Sequence, residues 1–294
     1  MNETKNCAQR FDRRRVRLHR DRAAMKFTKH NFLFREFGAR LADRLLDIER
    51  QFPLALDLGC HNGGLESQLP CERGIETLVQ CDLSASMARQ ANSSALVADE
   101  ELLPFTEQQF DLILSNLSLH WTNDLPGVLF QLRRLLKSDG LFLATLFGSG
   151  TLIEFRECLT EAVRTKIGGT AQNLPPLPRL GDAAALLQRA GFSLPVADSD
   201  IITVTYTDAF HLMSDLRGMG EGNATARRSI PPNTRDILFQ AAELYRDRYE
   251  RFDGTLPATF EVIYLHGWSP HASQQKALAP GSATMRLADA LAKK

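Results

Sequence analysis

The sequence lacks several features that would assign it to a class immediately. The 294 residues include 35 basic residues (lysine and arginine) and 35 acidic residues (aspartate and glutamate), so the formal net charge is zero. Without an excess of positive charge, nothing global indicates nucleic-acid binding. Since no apolar run reaches the roughly 18 residues of a membrane-spanning helix, no transmembrane segment is predicted either.

Cysteines and histidines are scattered rather than clustered. The five cysteines are odd in number and form no CxxC pair: they are Cys7, Cys60, Cys71, Cys81 and Cys158. They therefore predict reduced thiols in a cytosol-like compartment rather than a disulfide framework or a zinc site. The seven histidines show no ligand-like local spacing, so no metal site is predicted.

One stretch organises the rest of the chain: an apolar run that ends at Asp57, followed by a loop that contains Gly59 and Gly63. Leu65–Leu69 then predicts the start of a helix. A strand that enters a helix through a tight glycine-bearing loop is typical of nucleotide-binding α/β domains. Asp57, at the carboxyl end of the strand, has either a structural or a ligand-facing role.

Two cofactor classes compete for this loop. A dinucleotide loop needs glycine at its second conserved position to admit the pyrophosphate, and here that position is His61. The alternative is the acidic-x-Gly-x-Gly-x-Gly loop of S-adenosylmethionine (SAM) enzymes, which needs a close backbone approach but no anion cradle. His61 departs from this second pattern as well, at its middle glycine.

Two further strands favour the SAM class. Thr77–Asp82 and Ala95–Glu100 are both apolar runs that end in acids. Asp82 lies about 20 residues past the loop, the distance at which a carboxylate binds ribose hydroxyls. Because parallel strands end at the same edge of a sheet, the acids should meet where a doubly wound sheet binds its ligand. Solvated helix caps would explain one or two of these acids better than all three.

From about residue 50 to 147, these motifs resemble a class I SAM-dependent methyltransferase domain. The resemblance implies that Asp82 binds the ribose, Asp99 the adenine amino group, and the Gly59–Gly63 loop the methionine end of SAM. The predicted cofactor-binding residues are Asp57, Gly59, Cys60, His61, Gly63, Asp82, Leu83, Asp99, Glu100 and Asn116.

The loop after the predicted fourth strand, Phe110–Ser115, adds candidates for the substrate side. His120 is a candidate acid or base near neutral pH, and Trp121 is a candidate substrate contact. The alternatives are that His120 only lines the pocket or bonds to backbone, and that Trp121 packs under the following helix. That helix is predicted to run from its cap at Asp124 to Leu136.

The remaining pattern predicts an α/β, Rossmann-like class I methyltransferase fold with a seven-stranded, mostly parallel sheet, an antiparallel last strand and a helical lid. Further predicted elements are helices at 32–50, 152–163, 182–191 and within 208–252, strands at 141–147, 192–205 and 259–268, a turn at 137–140 and a proline-containing loop at 168–179. The predicted organisation is a basic arm (1–31), a SAM-binding domain (32–150) and a C-terminal part (151–294) with a lid at about 207–254.

The predicted lid contains three closely spaced glycines, Gly218, Gly220 and Gly222, so this part is not a good helix. Bare backbone lets a second chain approach, and Arg217–Asn223 is therefore predicted to form the protein-substrate side of the pocket, outside the core. Glu221 is a catalytic candidate that could pair with a substrate arginine. A helix-breaking corner, with Glu221 in a structural ion pair, is the alternative. The predicted substrate contacts here are Arg217, Met219 and Asn223.

The amino-terminal arm is strongly basic, because residues 1–30 hold ten lysines and arginines against three acids. One interpretation is a mitochondrial presequence, although Asp12, Asp21 and the lack of serine weaken it. A second interpretation is a basic helix that docks an acidic partner or covers the active site. The third is a solvated helix face.

Motifs at both ends of the chain support a narrower resemblance. They are Phe11-Asp12-Arg13 with Arg22-Ala23-Ala24, Phe52–Cys60, Leu117–Trp121, Leu216–Glu221 and Pro257–Phe260. Together they resemble the family of mitochondrial complex I assembly factor 5 and its bacterial relatives. The resemblance implies a SAM methyltransferase fold; the mitochondrial member is a protein arginine hydroxylase that acts on the PSST-type iron–sulfur subunit of complex I. A looser resemblance is to the malonyl-carrier-protein methyltransferases of biotin synthesis, from which the Arg217–Glu221 stretch points away.

The expected function is therefore a SAM-dependent enzyme of the methyltransferase fold that modifies a protein and is linked to complex I assembly. Arginine hydroxylation of the PSST-type subunit, a non-catalytic assembly chaperone and a malonyl-carrier-protein methyltransferase remain open. The expected partner is a protein, with no nucleic acid and with membrane association only through that partner. Since the chain begins almost at Phe11-Asp12-Arg13, the expected location is the bacterial cytoplasm, or the mitochondrial matrix in a eukaryote.

Overall fold

A seven-stranded sheet forms the centre of the molecule. The structure is a computed structural model that describes residues 9–91, 94–167, 174–226, 234–275 and 282. The strands are β1 (Leu54–Leu58), β2 (Thr77–Asp82), β3 (Ser94–Val97), β4 (Phe110–Asn116), β5 (Leu136–Phe147), β6 (Ser193–Tyr206) and β7 (Leu256–Trp268). Their order across the sheet is β3-β2-β1-β4-β5-β7-β6.

The sheet is parallel from β3 to β5, and β7 runs antiparallel to both of its neighbours. This confirms the predicted seven-stranded, mostly parallel sheet with an antiparallel last strand. The chain leaves β1 for β2 on one side and later returns to place β4 on the other side. The carboxyl ends of β1 and β4 therefore flank a topological switch point, where open α/β sheets bind their ligands.

Helices cover both faces of the sheet. They are α1 (Arg13–Ala23), α2 (Phe32–Leu46), α3 (Ala85–Ala88), α4 (Leu125–Leu135), α5 (Ile153–Ile167), α6 (Leu180–Arg189), α7 (Ala209–Gly218) and α8 (Thr234–Tyr249). One hydrophobic cluster unites the sheet with α2, α5, α7 and α8, and a second unites it with α4 and α6. Successive strand residues point to opposite faces, so Ala55 belongs to the first cluster and Leu56 to the second.

Two local predictions are wrong. The predicted helix at Leu65–Leu69 is only a short 3-10 turn, Glu66–Gln68, because the chain turns back towards β2 at once. The predicted turn at Lys137–Gly140 lies inside β5, which begins at Leu136. The pairing of β4 with β5 shifts register there, and Asp139 has a φ of 63°, so the turn residues form an irregularity within the strand.

The lid region between β6 and β7 contains α7 and α8, and α7 ends at Gly218 as the glycine-rich stretch begins. The division into arm, SAM-binding domain and C-terminal part stays a prediction, and residues 168–173 of the predicted proline-containing loop lie outside the described residues. None of the helices in the described part of the chain has the length and apolar character that membrane crossing requires.

Candidate active site at the carboxyl edge of the sheet

The first strand ends in a buried carboxylate that links two strands. Oδ2 of Asp57 accepts a hydrogen bond of 3.1 Å from Nε2 of Gln80 on β2. Burial raises the pKa of Asp57 to about 7, and the nearby Asp82 charge acts in the same direction. Asp57 therefore has a structural role: it joins β1 to β2 next to the loop.

The loop after β1 needs glycine because the chain packs closely there. Gly59 has a φ of 68°, and a Cβ atom at this position would lie 2.0 Å from Oγ of Ser118. Its amide donates to the carbonyl of Cys81 across 2.8 Å. The next residue, Cys60, is buried, and burial raises the pKa of its thiol. Gly63, with a φ of 78°, closes the loop against Ala91.

His61 fills the position where the SAM loop has its middle glycine. Its φ is 50°, in the left-handed region. The ring stacks on Phe27 at 5.4 Å and meets the edge of Phe34 at 4.5 Å, and neither ring nitrogen has a hydrogen-bond partner among the described residues. Burial, followed by the Arg20 charge, lowers the pKa of His61 to about 4. A neutral imidazole therefore occupies an aromatic pocket at the methionine end of the predicted site.

The acids at the ends of β2 and β3 bind an arginine from the arm. Arg20 of α1 is 1% exposed. Its Nη1 lies 3.1 Å from Oδ2 of Asp82 and 2.9 Å from Oε1 of Glu100, and its Nη2 lies 2.8 Å from Oγ of Ser118. The Arg20 and Arg13 charges hold the pKa of Glu100 well below its usual range against the effect of burial.

Arg13, two turns earlier in α1, binds the same group of acids. It donates to Oδ1 of Asp99 across 2.7 Å and to Oε2 of Glu100. Asp21 fixes the helix from its other side, since its Oδ1 accepts from Oγ of Ser84 at 2.6 Å. Of the three interpretations of the basic arm, the structure supports the one in which the arm covers the ligand edge.

The residue types expected for SAM are present, but in this conformation they do not fit it. All six oxygens of the three carboxylates already accept a hydrogen bond from the protein. The three acids concerned are Asp82, Asp99 and Glu100. The cleft beside the glycine loop spans about 330 Å³ with its open mouth included, and the residues that line it include none of these acids. Ribose hydroxyls and an adenine amino group would need the same acceptors that Arg13 and Arg20 use.

A second group of polar side chains lies on the substrate side of the edge. Oε2 of Glu221 is 2.9 Å from Nε2 of His120 and accepts a hydrogen bond of 2.8 Å from Nε1 of Trp121. Burial by itself would raise the pKa of Glu221, but His120 and then Arg20 outweigh it and lower the pKa. Nδ1 of His120 is buried without a partner among the described residues, so one ring nitrogen is fixed and the other is left for a ligand.

This group lies at the inner end of an apolar cleft. The cleft encloses about 770 Å³ with its open mouth, and its walls are largely apolar, including Phe147, Phe155, Leu216 and Phe260. Asn223, whose role as a substrate contact stays a prediction, also lines it, together with Glu221, His120 and Trp121. An apolar channel that ends in a few polar groups is typical of a substrate pocket.

The prediction that the Arg217–Asn223 stretch lies outside the core is wrong for Met219. This side chain is fully buried in the main hydrophobic cluster, because Met219 caps the carboxyl end of α7 with helical backbone angles, which turn it inward. The bare glycine backbone is approached by the chain's own arm: a Cβ at Gly218 would lie 2.3 Å from the His30 ring, and one at Gly222 would lie 3.0 Å from the His19 ring.

The other predicted residues are near the edge but play different parts. Nδ2 of Asn116 donates to the carbonyl of Phe34 across 2.8 Å, so it anchors α2. Leu83 packs on the cluster of Phe11 and Trp121. Arg217 is exposed and lines a separate cavity beside the arm. No group of three or more histidines, cysteines or acids suited to a metal ion occurs within the described residues.

Sequence reasoning missed Arg20, the most buried cation of the site. The available signal was its spacing from Arg13: seven residues, or two helical turns, place both side chains on one face of α1. Ser118, which links Arg20 to Glu100 through its hydroxyl, gave no comparable signal in the sequence.

Comparison with known proteins agrees with this geometry. The family described as "Methyltransferase domain" matches residues 56–144, which run from β1 into β5. YcgJ from Bacillus subtilis superposes with a TM-score of 0.53 at 16% identity and covers 79% of this chain and 98% of its own. Phosphoethanolamine N-methyltransferase 2 from Haemonchus contortus, solved with SAM, gives 0.53 at 19% identity over 87% and 60% of the two chains. At these identities the structural likeness shows the fold.

Three relatives are similar over nearly the whole chain. Arginine-hydroxylase NDUFAF5 of Danio rerio is 41% identical over 286 residues, covering 95% of this chain and 88% of the relative. The Homo sapiens protein is 42% identical over 282 residues, covering 94% and 81%. A malonyl-[acyl-carrier protein] O-methyltransferase of Methylovorus is 34% identical over 279 residues, covering 89% and 90%.

The sheet, the glycine loop and the acids at the strand ends define a class I SAM-dependent methyltransferase-fold protein. Within that class the chain belongs to the family that contains the NDUFAF5 proteins. The methyltransferase domain and the SAM-bound neighbour support SAM as the cofactor of this fold.

Proposed function

We propose that this protein is a SAM-dependent enzyme that modifies a side chain of a protein substrate during the assembly of respiratory complex I. The observation that carries the proposal is the pairing of His120 with Glu221 at the inner end of an apolar cleft. Identity of about 41% with a protein named arginine-hydroxylase NDUFAF5 supports arginine as the modified residue, and the resemblance to the complex I assembly factor 5 family supports the link to complex I.

The pair can hold a substrate proton in a defined place. When Nε2 of His120 donates to Glu221, the lone pair of the imidazole lies on Nδ1, which has no protein partner among the described residues. The carboxylate fixes the orientation of the ring. His120 therefore serves as the acid or base, and Glu221 positions it.

The shape of the cleft fits a long side chain with a polar end. Apolar walls pack on a methylene stem, and the carboxylate of Glu221 attracts a cationic head such as a guanidinium. Because water is largely displaced from such a cleft, the electrostatic interaction at its inner end is strong. A substrate arginine meets both requirements.

A basic surface next to the cleft provides docking for the rest of the partner. Arg22, Lys26 and Arg217 line an open cavity of about 900 Å³, the solvent at its mouth included. Arg217 belongs to the same short segment as Glu221, so the cavity adjoins the substrate cleft. An acidic stretch that flanks the modified side chain is complementary in charge to this surface.

Two other functions are each favoured by one observation. Arginine hydroxylation, which the family resemblance assigns to the PSST-type subunit, is favoured by the activity in the name of the arginine-hydroxylase NDUFAF5 relatives. A non-catalytic chaperone is favoured by the arm, whose arginines occupy the acids of the cofactor site. A bacterial cytoplasmic location, or the mitochondrial matrix in a eukaryote, stays a prediction that cell fractionation tests.

The proposal is tested by incubating the protein, the PSST-type subunit and SAM that carries a labelled methyl group. Label in the subunit supports methyl transfer, and label in malonyl carrier protein supports the alternative suggested by the Methylovorus relative. An unlabelled gain of one oxygen atom identifies hydroxylation instead. If both proteins stay unmodified, catalysis is excluded under these conditions and the chaperone function is favoured.

A further inference from the structure

The arm binds the sheet edge with the same carboxylates that a nucleoside would use. The Arg20 guanidinium is buried between Asp82 and Glu100, and the Arg13 guanidinium joins Glu100 to Asp99. These acids lie at the carboxyl ends of β2 and β3, on one side of the loop where the fold binds its cofactor. Two arginines on one face of α1 thus act as an internal ligand for that site.

α1 packs on the edge of the sheet with few buried side chains. Only Val16, Arg20 and Ala23 of this helix are buried. Its other hydrogen bonds include those from Ser84 to Asp21 and from Arg13 to the carbonyl of Trp121, and a ring nitrogen of His19 lies 3.0 Å from the carbonyl of Gly222. No strand of the sheet includes a residue of the arm.

The buried ion pairs hold the arm at the edge of the sheet. Two carboxylates at a buried edge would be unfavourable without a cation, and Arg20 supplies it. A ligand that donates hydrogen bonds to Asp82 must replace that cation. The arm and the ligand therefore compete for one set of acceptors.

We infer that α1 is a strap that closes the SAM site with Arg20 and Arg13, and that SAM binds only when this helix has withdrawn. The inference rests on the proposed SAM-dependent function. Withdrawal also releases the contact between His19 and Gly222, next to Glu221. Binding of the cofactor is thereby coupled to the segment that forms the substrate side of the site.

The test compares SAM affinity by calorimetry in the wild type and two variants of the full chain. Removing the internal ligand with Arg20→Ala should tighten SAM binding by at least about tenfold, because the open state becomes more populated. Asp21→Ala, which removes only the outer anchor, should tighten it severalfold on the same ground. Arg17→Ala, an exposed position of the same helix, is the matched control and should leave SAM affinity unchanged.

Hydrogen exchange of the wild-type backbone provides a second measurement that needs no variant and remains decisive if Arg20→Ala does not fold. Saturation with SAM should speed exchange of the amides in α1, whereas slower or equal exchange in the SAM-bound protein overturns the strap. If the wild type binds SAM and neither Arg20→Ala nor Asp21→Ala binds it more tightly, the strap is wrong and the proposed function stands. If no form of the protein binds SAM, the proposed cofactor fails, and the strap fails with it.

Discussion

The indole nitrogen of Trp121 donates a hydrogen bond of 2.8 Å to Oε2 of Glu221, which lies 100 positions later in the chain. The same oxygen is 2.9 Å from Nε2 of His120. The loop after β4 and the segment after α7 therefore meet in one polar cluster. Two side-chain contacts therefore fix Glu221 in position while it lines the substrate cleft.

Glu221→Gln tests the two roles of this carboxylate. Glutamine keeps an oxygen that can accept from Trp121 but loses the charge that pairs with His120. We expect the variant to fold with a free energy of unfolding lower by about 1.5–3 kcal/mol, as for hydrogen bonds to charged groups. It should keep SAM affinity and fail to modify the partner, as calorimetry and mass spectrometry would show.

Trp121→Phe is the matched control, because it removes one donor to Glu221 and leaves the charge pair with His120. Modification of the partner should persist at a reduced rate. Equal loss of activity in both variants, with equal loss of stability, would identify Glu221 as a structural ion-pair member and not a part of the reaction site.

Asp82→Ala tests the cofactor assignment. Because Asp82 also binds Arg20, it is replaced in the Arg20→Ala background, where it no longer holds the arm. If Asp82 accepts the ribose hydroxyls, the double variant should lose about 1.5–3 kcal/mol of SAM affinity relative to Arg20→Ala. Asp43→Ala in the same background removes an exposed acid of α2 and should leave SAM affinity as it is. Calorimetric titration is the measurement, and equal affinity of Arg20→Ala with and without Asp82→Ala would contradict the assignment.

Asp57 and His61 should give opposite pH dependences of stability. The pKa of Asp57 is raised to about 7, so between about pH 4 and 7 the folded state keeps a proton that the unfolded chain releases, and stability falls as pH rises. The pKa of His61 is lowered to about 4, so between about pH 4 and 6.5 the unfolded chain binds the extra proton, and stability rises with pH.

Asp57→Asn should therefore gain stability relative to wild type as pH rises from 5 to 6.5, by up to about 1.4 kcal/mol per pH unit. His61→Asn should change relative to wild type in the opposite direction over the same window. Urea unfolding of the three proteins at several pH values measures these differences. Differences that do not vary with pH would show that neither group titrates as its burial indicates.

The basic cavity should contribute to partner binding. Replacing Arg22, Lys26 and Arg217 together with glutamine should weaken binding of the PSST-type subunit and flatten its salt dependence, with SAM affinity intact. Arg14 and Arg17, exposed cations of the arm that do not line the cavity, are the control pair. A larger effect from the control pair would move the docking surface to the outer face of the arm.

The sheet could be predicted well because its evidence is local. Most central strands contain an apolar run bounded by turn residues, and β6 and β7 were predicted to within a few residues. The prediction of a helix at Leu65–Leu69 is wrong because its evidence was an apolar pair after a loop. Such a pair is equally compatible with a short 3-10 turn. The prediction that Met219 lies outside the core is wrong because the burial of this residue depends on how α7 packs. The spacing of the glycines gives no information on that packing.

The site could be predicted only in part, for a related reason. Strand-end acids such as Asp82 are placed by the topology of the sheet, which the sequence pattern indicates. The partner of Asp82 is Arg20, 62 positions earlier, and that contact depends on where the arm lies. A run of arginines does not reveal which of them is buried. The His120 contact with Glu221, across 101 positions, is long-range in the same way.

The intact mass of the PSST-type subunit, measured after incubation with SAM and this protein, tests the proposed enzyme most directly. The prediction is a gain of one methylene mass on a single arginine-containing peptide, which disappears with Glu221→Gln. A gain of one oxygen atom at that arginine would support the proposed site but show that the reaction is hydroxylation and not methyl transfer. An unchanged mass, although SAM and the subunit both bind, would contradict an enzymatic role.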